Sequence, residues 1–435
     1  MKIINIVPGF GGTFYCGNCL RDSVFVNSLR EGGHNAVILP VYLPLTGNEN
    51  QRYDESPVFY GAVSIYLKQQ FPFMRKMPGW MEHLLNSPPV LKFASSKAGS
   101  TRAEGMEDLT ESMLMGKEGF QSQELQQLVD YLKHHEKPDI VHFSNALLLG
   151  MARQIKDEVR VPVVCSLQDE DVWIDAMHPG YRDKIWKLIS EKAGDVDAFI
   201  AVSEYFANIM KKKLNIPDDK LNVVHIGVDP DLYEYTETST NPPAIGFLSR
   251  ICEENGFEIL VDAFIQLKSE PKFKELKLKV SGGMTSDDKP FIRRQMKKLK
   301  INGIEEDIEF FPDFTLEGLK GFFRSISVLS VPVLKGEAFG LYQIEAMASG
   351  VPLVQPDLGA FPEIVKGSGG GVIYHPNTAE ALSVKLEEVL SDPEKLKEMR
   401  RNGRKASEEE FNCKKLTLNM LKVYKNVRRS SPAII

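Results

Sequence analysis

Short apolar runs alternate with longer segments of helical periodicity along most of the chain, in two successive series. Apolar, β-branched runs separated by helices are typical of parallel strands that are covered by helices on both faces. The first series predicts strands at Ile3–Val7, Ala36–Val41, Asp139–Phe143, Pro162–Leu167, Asp197–Val202 and Leu221–Ile226. The second series predicts strands at Ala244–Leu248, Leu276–Val280, Ile308–Phe311, Ile326–Val331, Pro352–Val354 and Gly371–Ile373. We therefore expect the α/β fold class, with two doubly wound, Rossmann-like parallel-sheet domains.

A polar stretch separates the two series. Residues 236–243 read TETSTNPP, and this content of Ser, Thr, Asn and Pro is typical of a linker. We predict an N-terminal domain over residues 1–236 and a C-terminal domain over residues 244–412. The last periodic segment, residues 413–435, is expected to form a helix, which could pack back on the N-terminal domain or on the C-terminal one.

The first series is interrupted by residues 50–121, where a short connection would be expected. A stretch this long inside a compact domain is usually functional or partly disordered. Its middle reads FPFMRKMPGWM, which mixes aromatic residues, methionines and two basic residues. A helical lid with its own small core is the preferred interpretation. A wall of the acceptor site and a contact with a membrane surface are the alternatives.

Charge and cysteine usage narrow the class of protein. The 435 residues include 53 Lys and Arg against 59 Asp and Glu, a net charge of -6, so no global positive field favours nucleic acid or anionic lipid. The N-terminal apolar run is too short for a signal peptide, and a cytoplasmic location is expected. Five cysteines then indicate reduced thiols. Cys16 and Cys19 form a lone C-x-x-C without further ligands at zinc-site spacing, so no metal is expected.

The most informative segment is 332–356, which predicts a strand end, a loop, a helix from about Phe339 and another strand. Glu337 precedes the helix and Glu345 lies within it, about 10 Å further on, which matches the reach from a hexose across a diphosphate to a ribose. The free N–H groups of a helix start attract phosphate. Here they belong to Phe339, Gly340 and Leu341. Either carboxylate alone would more often be a solvated helix charge, but together they predict a site for a nucleotide diphosphate sugar.

This segment resembles glycosyltransferase family 4, whose motif is E-x7-E within E-G-F-G-L-x-x-x-E-A-M-A. The chain reads EAFGLYQIEAMASG, with Ala338 where the family has Gly. The similarity extends through Gly359–Val365 and Val202–Asp229 and back to Gly11 and Gly12. The resemblance implies the GT-B fold, in which two Rossmann-like domains face an interdomain cleft. It also implies retaining hexosyl transfer from a UDP or GDP sugar, without cofactor or metal, in which Glu337 orients the sugar and Glu345 binds the ribose.

Arg250 and Asn255 lie in a second family segment, SRICEENG at 249–256. The family has Arg and Lys there, which bind the donor diphosphate and steady the departing charge. Arg250 matches, and it is expected to be catalytic. Asn255 replaces the Lys, and an amide brings no positive charge to a dianionic leaving group. Lys335, two residues before Glu337, is the candidate that supplies this charge.

Paired glycines occur at two further positions of the resemblance. Gly282 and Gly283 follow a predicted strand and would allow close backbone approach to the donor, although a tight turn would have the same sequence. Gly11 and Gly12 match the glycine pair that approaches the donor phosphates in the family. This N-terminal loop is not G-x-G-x-x-G, so no dinucleotide fingerprint is present.

Asp169 is the third expected catalytic residue. The segment SLQD resembles the family's T-x-H-D, with Gln168 in the position of the histidine, which removes a proton carrier. Asp169 would contact the acceptor or the transferred sugar, and an N-cap of the next helix is the alternative. No carboxylate nucleophile stands out, which fits front-face substitution, in which a donor phosphate oxygen takes the acceptor's proton.

Two other function classes stay open. The changes at Asn255 and Gln168 leave room for a sugar-nucleotide-binding protein that has lost transfer. Another GT-B enzyme, such as a sugar-nucleotide epimerase or a phosphorylase, is the second alternative. The expected partners are a nucleotide-sugar donor and a carbohydrate, lipid or small-molecule acceptor, while nucleic acid is not expected and a peripheral membrane contact is not indicated.

Overall fold

The computed structural model describes residues 1–8, 15, 17–42, 103, 105–237 and 240–430. Gly11, Gly12 and Cys16 lie outside the described residues. So does the larger part of the predicted insertion, including the segment 71–81 on which the expectation of a lid depends. Those expectations stay predictions.

The secondary structure alternates between strands and helices. The strands are β1 (Lys2–Val7), β2 (Asn35–Pro40), β3 (Ile140–Phe143), β4 (Val163–Leu167), β5 (Ala198–Ala201), β6 (Leu221–Val223), β7 (Ala244–Leu248), β8 (Lys277–Ser281), β9 (Ile308–Phe311), β10 (Val328–Leu329), β11 (Leu353–Pro356) and β12 (Gly371–Tyr374). The helices are α1 (Gly17–Glu31), α2 (Glu107–Met115), α3 (Ser122–Tyr131), α4 (Ala152–Val159), α5 (Glu170–Ile174), α6 (Pro179–Ala193), α7 (Glu204–Leu214), α8 (Phe257–Lys268), α9 (Lys289–Ile301), α10 (Leu316–Arg324), α11 (Leu341–Ala348), α12 (Phe361–Ser368), α13 (Ala379–Leu390), α14 (Pro393–Glu409) and α15 (Cys413–Ser430).

The strands of the described residues form two 6-stranded sheets, both parallel throughout. The first has the order β2-β1-β3-β4-β5-β6 and the second the order β12-β11-β10-β7-β8-β9. The predicted α/β class with two doubly wound sheets is therefore confirmed. Strands β3, β4, β5 and β7 are buried at every residue, which explains why their sequences are continuous apolar runs instead of alternating ones.

The chain divides into two compact units. Unit 1 contains the described residues of Met1–Gly12, Asp22–Val224 and Thr417–Ile435, and unit 2 contains those of Thr13–Arg21 and His225–Leu416. Helix α15 begins in unit 2, where Cys413 N donates to Val228 O at 2.8 Å. From Thr417 onward it belongs to unit 1, where the Tyr424 hydroxyl lies 2.6 Å from His142 Nδ1.

The sheet of unit 2 reverses its strand order between β7 and β10, which are neighbours in the sheet although β8 and β9 lie between them in the sequence. Ligands of open parallel sheets bind beyond the carboxyl ends of the strands at such a switch point. Strand β10 is shorter than the predicted run Ile326–Val331, but backbone bonds from Ser327 N to Ala244 O and from Ser330 N to Gly246 O continue its contact with β7. The loops that follow β7, β8 and β10 carry most of the predicted site residues.

Candidate functional site

Glu337 lies in the loop between β10 and α11, at the carboxyl edge of the unit 2 sheet. Its carbonyl oxygen accepts from Ala360 N at 3.0 Å, which ties this loop to the start of α12. A Cβ atom on Gly340 would lie 2.8 Å from Glu337 Oε2, so the carboxylate rests against the residue that caps α11. The side chain is partly exposed. The structure therefore places a carboxylate directly at a helix start.

Helix α11 begins at Leu341, two residues later than predicted, because Gly340 at its N-cap has φ +85°. The carbonyl of Phe339 accepts from Gln343 Nε2 at 2.8 Å, and the side chains of Phe339 and Leu341 are buried. These contacts hold the turn rigidly. The first N–H groups of a helix lack intrahelical acceptors and carry partial positive charge, so this turn can receive a phosphate.

Glu345 is only 3% exposed, within α11. Tyr15 Oη donates to its Oε2 at 2.5 Å and Tyr233 Oη donates to its Oε1 at 2.8 Å. Burial raises the pKa of the Glu345 carboxyl, and the two hydroxyl donors oppose that effect only in part, so the pKa lies above its ordinary value. Sequence reasoning missed both tyrosines, because neither belongs to a family segment used to find the site.

Tyr15 is also held by its backbone. Its N–H donates to the carbonyl of Gly282 at 2.8 Å, so this residue bridges the turn after β8 and the carboxylate in α11. Gly282 has φ +116°, and a Cβ atom there would lie 2.3 Å from Ser249 O. Gly283 has φ +76°. The contact with Ser249 requires glycine at position 282 for a tight turn, whether or not a donor also approaches it.

Arg250 makes a bidentate ion pair after β7. Its Nε donates to Asp288 Oδ2 at 2.9 Å and its Nη2 to Asp288 Oδ1 at 2.7 Å, and Nη2 lies 3.4 Å from Thr285 Oγ1. Burial raises the pKa of the Asp288 carboxyl, but the donors of Arg250 and Thr285 outweigh burial and bring that pKa below its ordinary value. The carboxylate therefore stays ionised and fixes the plane of the guanidinium.

Asn255 closes the turn that follows β7. Its Nδ2 donates to Ser249 Oγ at 2.8 Å and to Arg250 O at 2.9 Å. Both N–H bonds of the amide thus have acceptors inside the turn. The turn itself lies against the loop after β10, where Leu334 N donates to Glu254 O at 3.0 Å. The structure therefore brings the segment of Arg250 and Asn255 next to the loop of Lys335 and Glu337.

Lys335 is exposed, and it has no ion-pair partner within the part of the chain that the structure describes. The site residues predicted from sequence that lie in unit 2 are Arg250, Asn255, Gly282, Gly283, Lys335, Glu337, Phe339, Gly340, Leu341 and Glu345. They occupy the turns after β7, β8 and β10 and the helix α11. These lie at the carboxyl edge of the sheet, around the point where the strand order reverses.

Asp169 belongs to unit 1, two residues after the end of β4 and directly before α5. It has φ +55°, a left-handed conformation that is costly for a residue other than glycine. It occupies the N-cap position of α5, yet its side chain makes no capping hydrogen bond in the described structure. The N-cap alternative therefore does not explain this residue.

No group of three or more His, Cys, Asp or Glu side chains among the described residues could hold a metal ion. No described helix combines the length and the apolar character that crossing a membrane requires.

Two family models match adjacent parts of the chain. Glycosyltransferase Family 4 matches residues 114–232, and Glycosyl transferases group 1 matches residues 233–406. The second range contains all the unit 2 site residues that were predicted from the sequence. An uncharacterised glycosyltransferase of Methanocaldococcus jannaschii is 22% identical over 307 residues, which are 67% of this chain and 76% of that protein.

Solved structures resemble the whole chain in fold. Sucrose-phosphate synthase from Thermosynechococcus elongatus aligns with a TM-score of 0.71 at 16% identity, over 99% of this chain and 100% of that one. Anabaena HepE in complex with UDP aligns with a TM-score of 0.67 at 15% identity, over 98% of this chain and 100% of that one. At this level of identity the likeness establishes the fold, which is that of the GT-B glycosyltransferases.

Proposed function

Because the chain belongs to glycosyltransferase family 4, we propose that it is a retaining hexosyltransferase, which moves a hexosyl group from a nucleotide diphosphate sugar to an acceptor. One observation carries this proposal. Glu337 lies against the cap of α11 and Glu345 lies inside the same helix, with the free N–H groups of the helix start between them. Two hydroxyl-binding carboxylates on either side of an anion site match the parts of a nucleotide diphosphate sugar.

Each residue has a proposed role that follows from its chemistry. Glu337, which is partly exposed, accepts hydrogen bonds from sugar hydroxyls and orients the ring. The start of α11 and the guanidinium of Arg250 bind the diphosphate, and they stabilise the negative charge that develops on it as the bond to the sugar breaks. Glu345 accepts from the ribose. The left-handed backbone of Asp169 supports its proposed contact with the acceptor or the transferred sugar.

The proposed chemistry is front-face substitution. The bond between the anomeric carbon and the diphosphate oxygen breaks, the acceptor oxygen bonds to the same face of that carbon, and a donor phosphate oxygen takes the acceptor's proton. This sequence retains the anomeric configuration and balances without a protein nucleophile or a metal ion. The UDP that is bound to Anabaena HepE makes UDP-sugars the first donors to test.

A second candidate function is supported by the geometry of Asn255. Its amide is committed to the turn after β7 through two hydrogen bonds, and it supplies no positive charge. A chain without that charge could bind a sugar nucleotide and stabilise its departing diphosphate too poorly for transfer. Binding without turnover is therefore the alternative to test.

The first experiment is a thermal-shift screen of the full chain with UDP-, GDP- and ADP-sugars and their free diphosphates. A ligand that binds the folded state raises the unfolding midpoint. We expect one base to produce a shift that Glu345→Ala abolishes. Glu124→Ala removes a carboxylate that is also buried, in unit 1, and it should keep the shift. The absence of a shift with every nucleotide would contradict the proposal.

The second experiment separates transfer from binding. The donor that gives the shift is incubated with the protein and candidate acceptors, and the release of nucleoside diphosphate is measured. We expect slow donor hydrolysis or transfer. Proton NMR should show an α-configured product from an α-configured donor. Tight binding with no release would favour the silent binder, and inversion would exclude the retaining mechanism.

A further inference from the structure

Both oxygens of Glu345 already accept a hydroxyl donor within unit 2. The distances are 2.5 Å from Tyr15 and 2.8 Å from Tyr233, and Glu345 itself is 3% exposed. Each oxygen could accept a second hydrogen bond, but with both tyrosines in place the residue is almost fully buried, which leaves a ribose hydroxyl almost no open surface on this carboxylate. One of them has to give up its position for the ribose contact to form.

Tyr233 is anchored on several sides. Its carbonyl accepts from Arg404 Nη1 at 3.2 Å, and the same nitrogen donates to Ala348 O, the last residue of α11, at 2.8 Å. Its ring packs edge-on against the ring of Phe323, with 6.5 Å between the ring centroids. Arg404 thus links Tyr233 to the same helix that carries Glu345. These contacts fix Tyr233 beside the carboxylate of Glu345.

Tyr15 is positioned differently. Its backbone N–H bonds to the carbonyl of Gly282, and its hydroxyl bonds to Glu345, so it spans two residues of the predicted donor site. Gly17 follows closely, and a Cβ atom there would lie 3.4 Å from Leu341 Cβ at the start of α11. Tyr15 therefore lies across the very face of unit 2 on which the nucleotide is proposed to bind.

We propose that the Tyr15 hydroxyl occupies the place on Glu345 that a ribose hydroxyl takes, so that donor binding exchanges the phenol for the ribose. This inference rests on the proposed function. Each state supplies the buried carboxylate with two hydroxyl donors, which matters because an unsatisfied buried oxygen is costly. The apparent affinity for nucleotide is then the intrinsic affinity multiplied by the fraction of molecules in which Tyr15 has left Glu345.

The exchange has a specific consequence for selectivity. A nucleotide that lacks the ribose hydroxyl leaves Tyr15 on Glu345, so the wild-type protein loses little when that hydroxyl is removed. In Tyr15→Phe, Oε2 loses the hydroxyl donor that the described structure gives it, and a ribose hydroxyl can replace that donor. The variant should therefore distinguish ribose from deoxyribose more strongly than the wild type does.

The test is calorimetric titration of the full chain with UDP, GDP and ADP, and then with the 2′- and 3′-deoxy forms of the nucleotide that binds. We expect Tyr15→Phe to bind the parent nucleotide about tenfold more tightly than wild type, the equilibrium equivalent of one charge-assisted hydrogen bond. Tyr233→Phe should not tighten binding. In the wild type the Tyr233 hydroxyl stays on Glu345 with and without nucleotide, so its removal frees no place for the ribose. Tyr374→Phe, whose hydroxyl donates to Asn377, is the matched control and should bind as wild type.

Several outcomes would overturn the inference. Weaker or unchanged binding by Tyr15→Phe would mean that the phenol remains in the complex or never competes. If the wild type binds the 2′- or the 3′-deoxy nucleotide about tenfold or more weakly than the parent nucleotide, no exchange occurs. This comparison uses the wild-type protein alone, so it does not depend on the folding of a variant. If Glu345→Ala weakens binding while Tyr15→Phe does not tighten it, only the exchange fails. If no nucleotide binds to either protein, the proposed function fails with it.

Discussion

The guanidinium of Arg250 and the carboxylate of Asp288 form two parallel hydrogen bonds, at 2.9 Å and 2.7 Å. The Asp288 side chain is 5% exposed and also accepts from Thr285 N at 2.7 Å, so the carboxylate is itself fixed. A planar cation held at two points cannot turn, and its remaining N–H groups keep one direction. Asp288 is thus a positioning residue for the proposed diphosphate contact.

Asp288→Asn should lower kcat about tenfold with little change in KM, because Arg250 loses its orientation and contributes less to the departing diphosphate. The free energy of unfolding should fall by about 1–3 kcal/mol, since Thr285 and Arg250 each lose a charged acceptor. Donor turnover and urea denaturation measure the two effects. Asp287→Asn, one residue earlier and exposed, is the control that should change neither. Faster turnover in Asp288→Asn would instead show that the pair restrains the cation.

Gly340→Ala should damage the site more than the fold. The residue has φ +85°, and the new Cβ would lie 2.8 Å from both Glu337 Oε2 and Gln343 Nε2, so these side chains must shift. A misplacement of a site residue by about 1 Å can reduce kcat/KM about a hundredfold. Gly303→Ala, at φ +69° with nothing within 4 Å, introduces a similar backbone strain without the contact. Both variants should lose about 1–2 kcal/mol of stability, and only Gly340→Ala should lose activity.

The sequence predicts the local parts of this molecule far better than its long-range contacts. Every strand of both sheets is found near its predicted place, because buried parallel strands are short apolar runs. Glu337 and Glu345 share one segment, so their relation to the helix start follows from helix geometry. The bond from Tyr15 to Glu345 joins residues 330 positions apart, and no periodicity or spacing encodes such a pair.

The same limit explains what was missed at Asn255 and Arg250. The sequence shows that a positive charge is absent at position 255, but not that the amide closes the turn on Ser249 Oγ. It shows Arg250 and not its partner Asp288, which lies 38 positions away beyond β8. Such contacts depend on how loops at the edge of the sheet meet, and a single sequence contains no signal for that.

Lys335→Ala should lower kcat about tenfold if this lysine supplies the charge that Asn255 lacks. The loop of Lys335 contacts the turn of Arg250 and Asn255 through Leu334 N and Glu254 O, so the cation lies on the relevant side of the sheet. An exposed cation is screened by salt, so the loss should shrink as ionic strength rises. Donor turnover from low to high salt measures this. Wild-type turnover in Lys335→Ala would rule the role out.

A rescue experiment sharpens the same prediction. Asn255→Lys restores the residue type of the family, and in the Lys335→Ala background it should recover most of the lost kcat. By itself it should cost about 1–2 kcal/mol of stability, because the two hydrogen bonds of the amide to Ser249 and Arg250 are lost. Lys320→Ala removes a partly exposed lysine that pairs with Glu317 on α10, and it should leave turnover unchanged.

Glu170 joins two loops of unit 1. Its Oε1 accepts from Ala146 N and its Oε2 from Gln168 N, both at 2.8 Å, and the residue is 1% exposed. Burial raises the pKa of the Glu170 carboxyl to about 8, although the backbone donors oppose it. The unfolded chain holds this proton only below about pH 4.5, so between these values the folded state binds more protons than the unfolded state.

Stability should therefore fall as pH rises from about 5 to 8, because the contribution of Glu170 is complete below its unfolded pKa and is lost as pH passes through the folded one. The slope from one such group is at most about 1.4 kcal/mol per pH unit. Glu170→Gln cannot titrate, so its free energy of unfolding should be flatter across this window, although it starts lower because an amide nitrogen faces a backbone N–H. Urea denaturation of both proteins at pH 5, 6, 7 and 8 gives the comparison. Parallel curves would show that Glu170 keeps an ordinary pKa despite its burial.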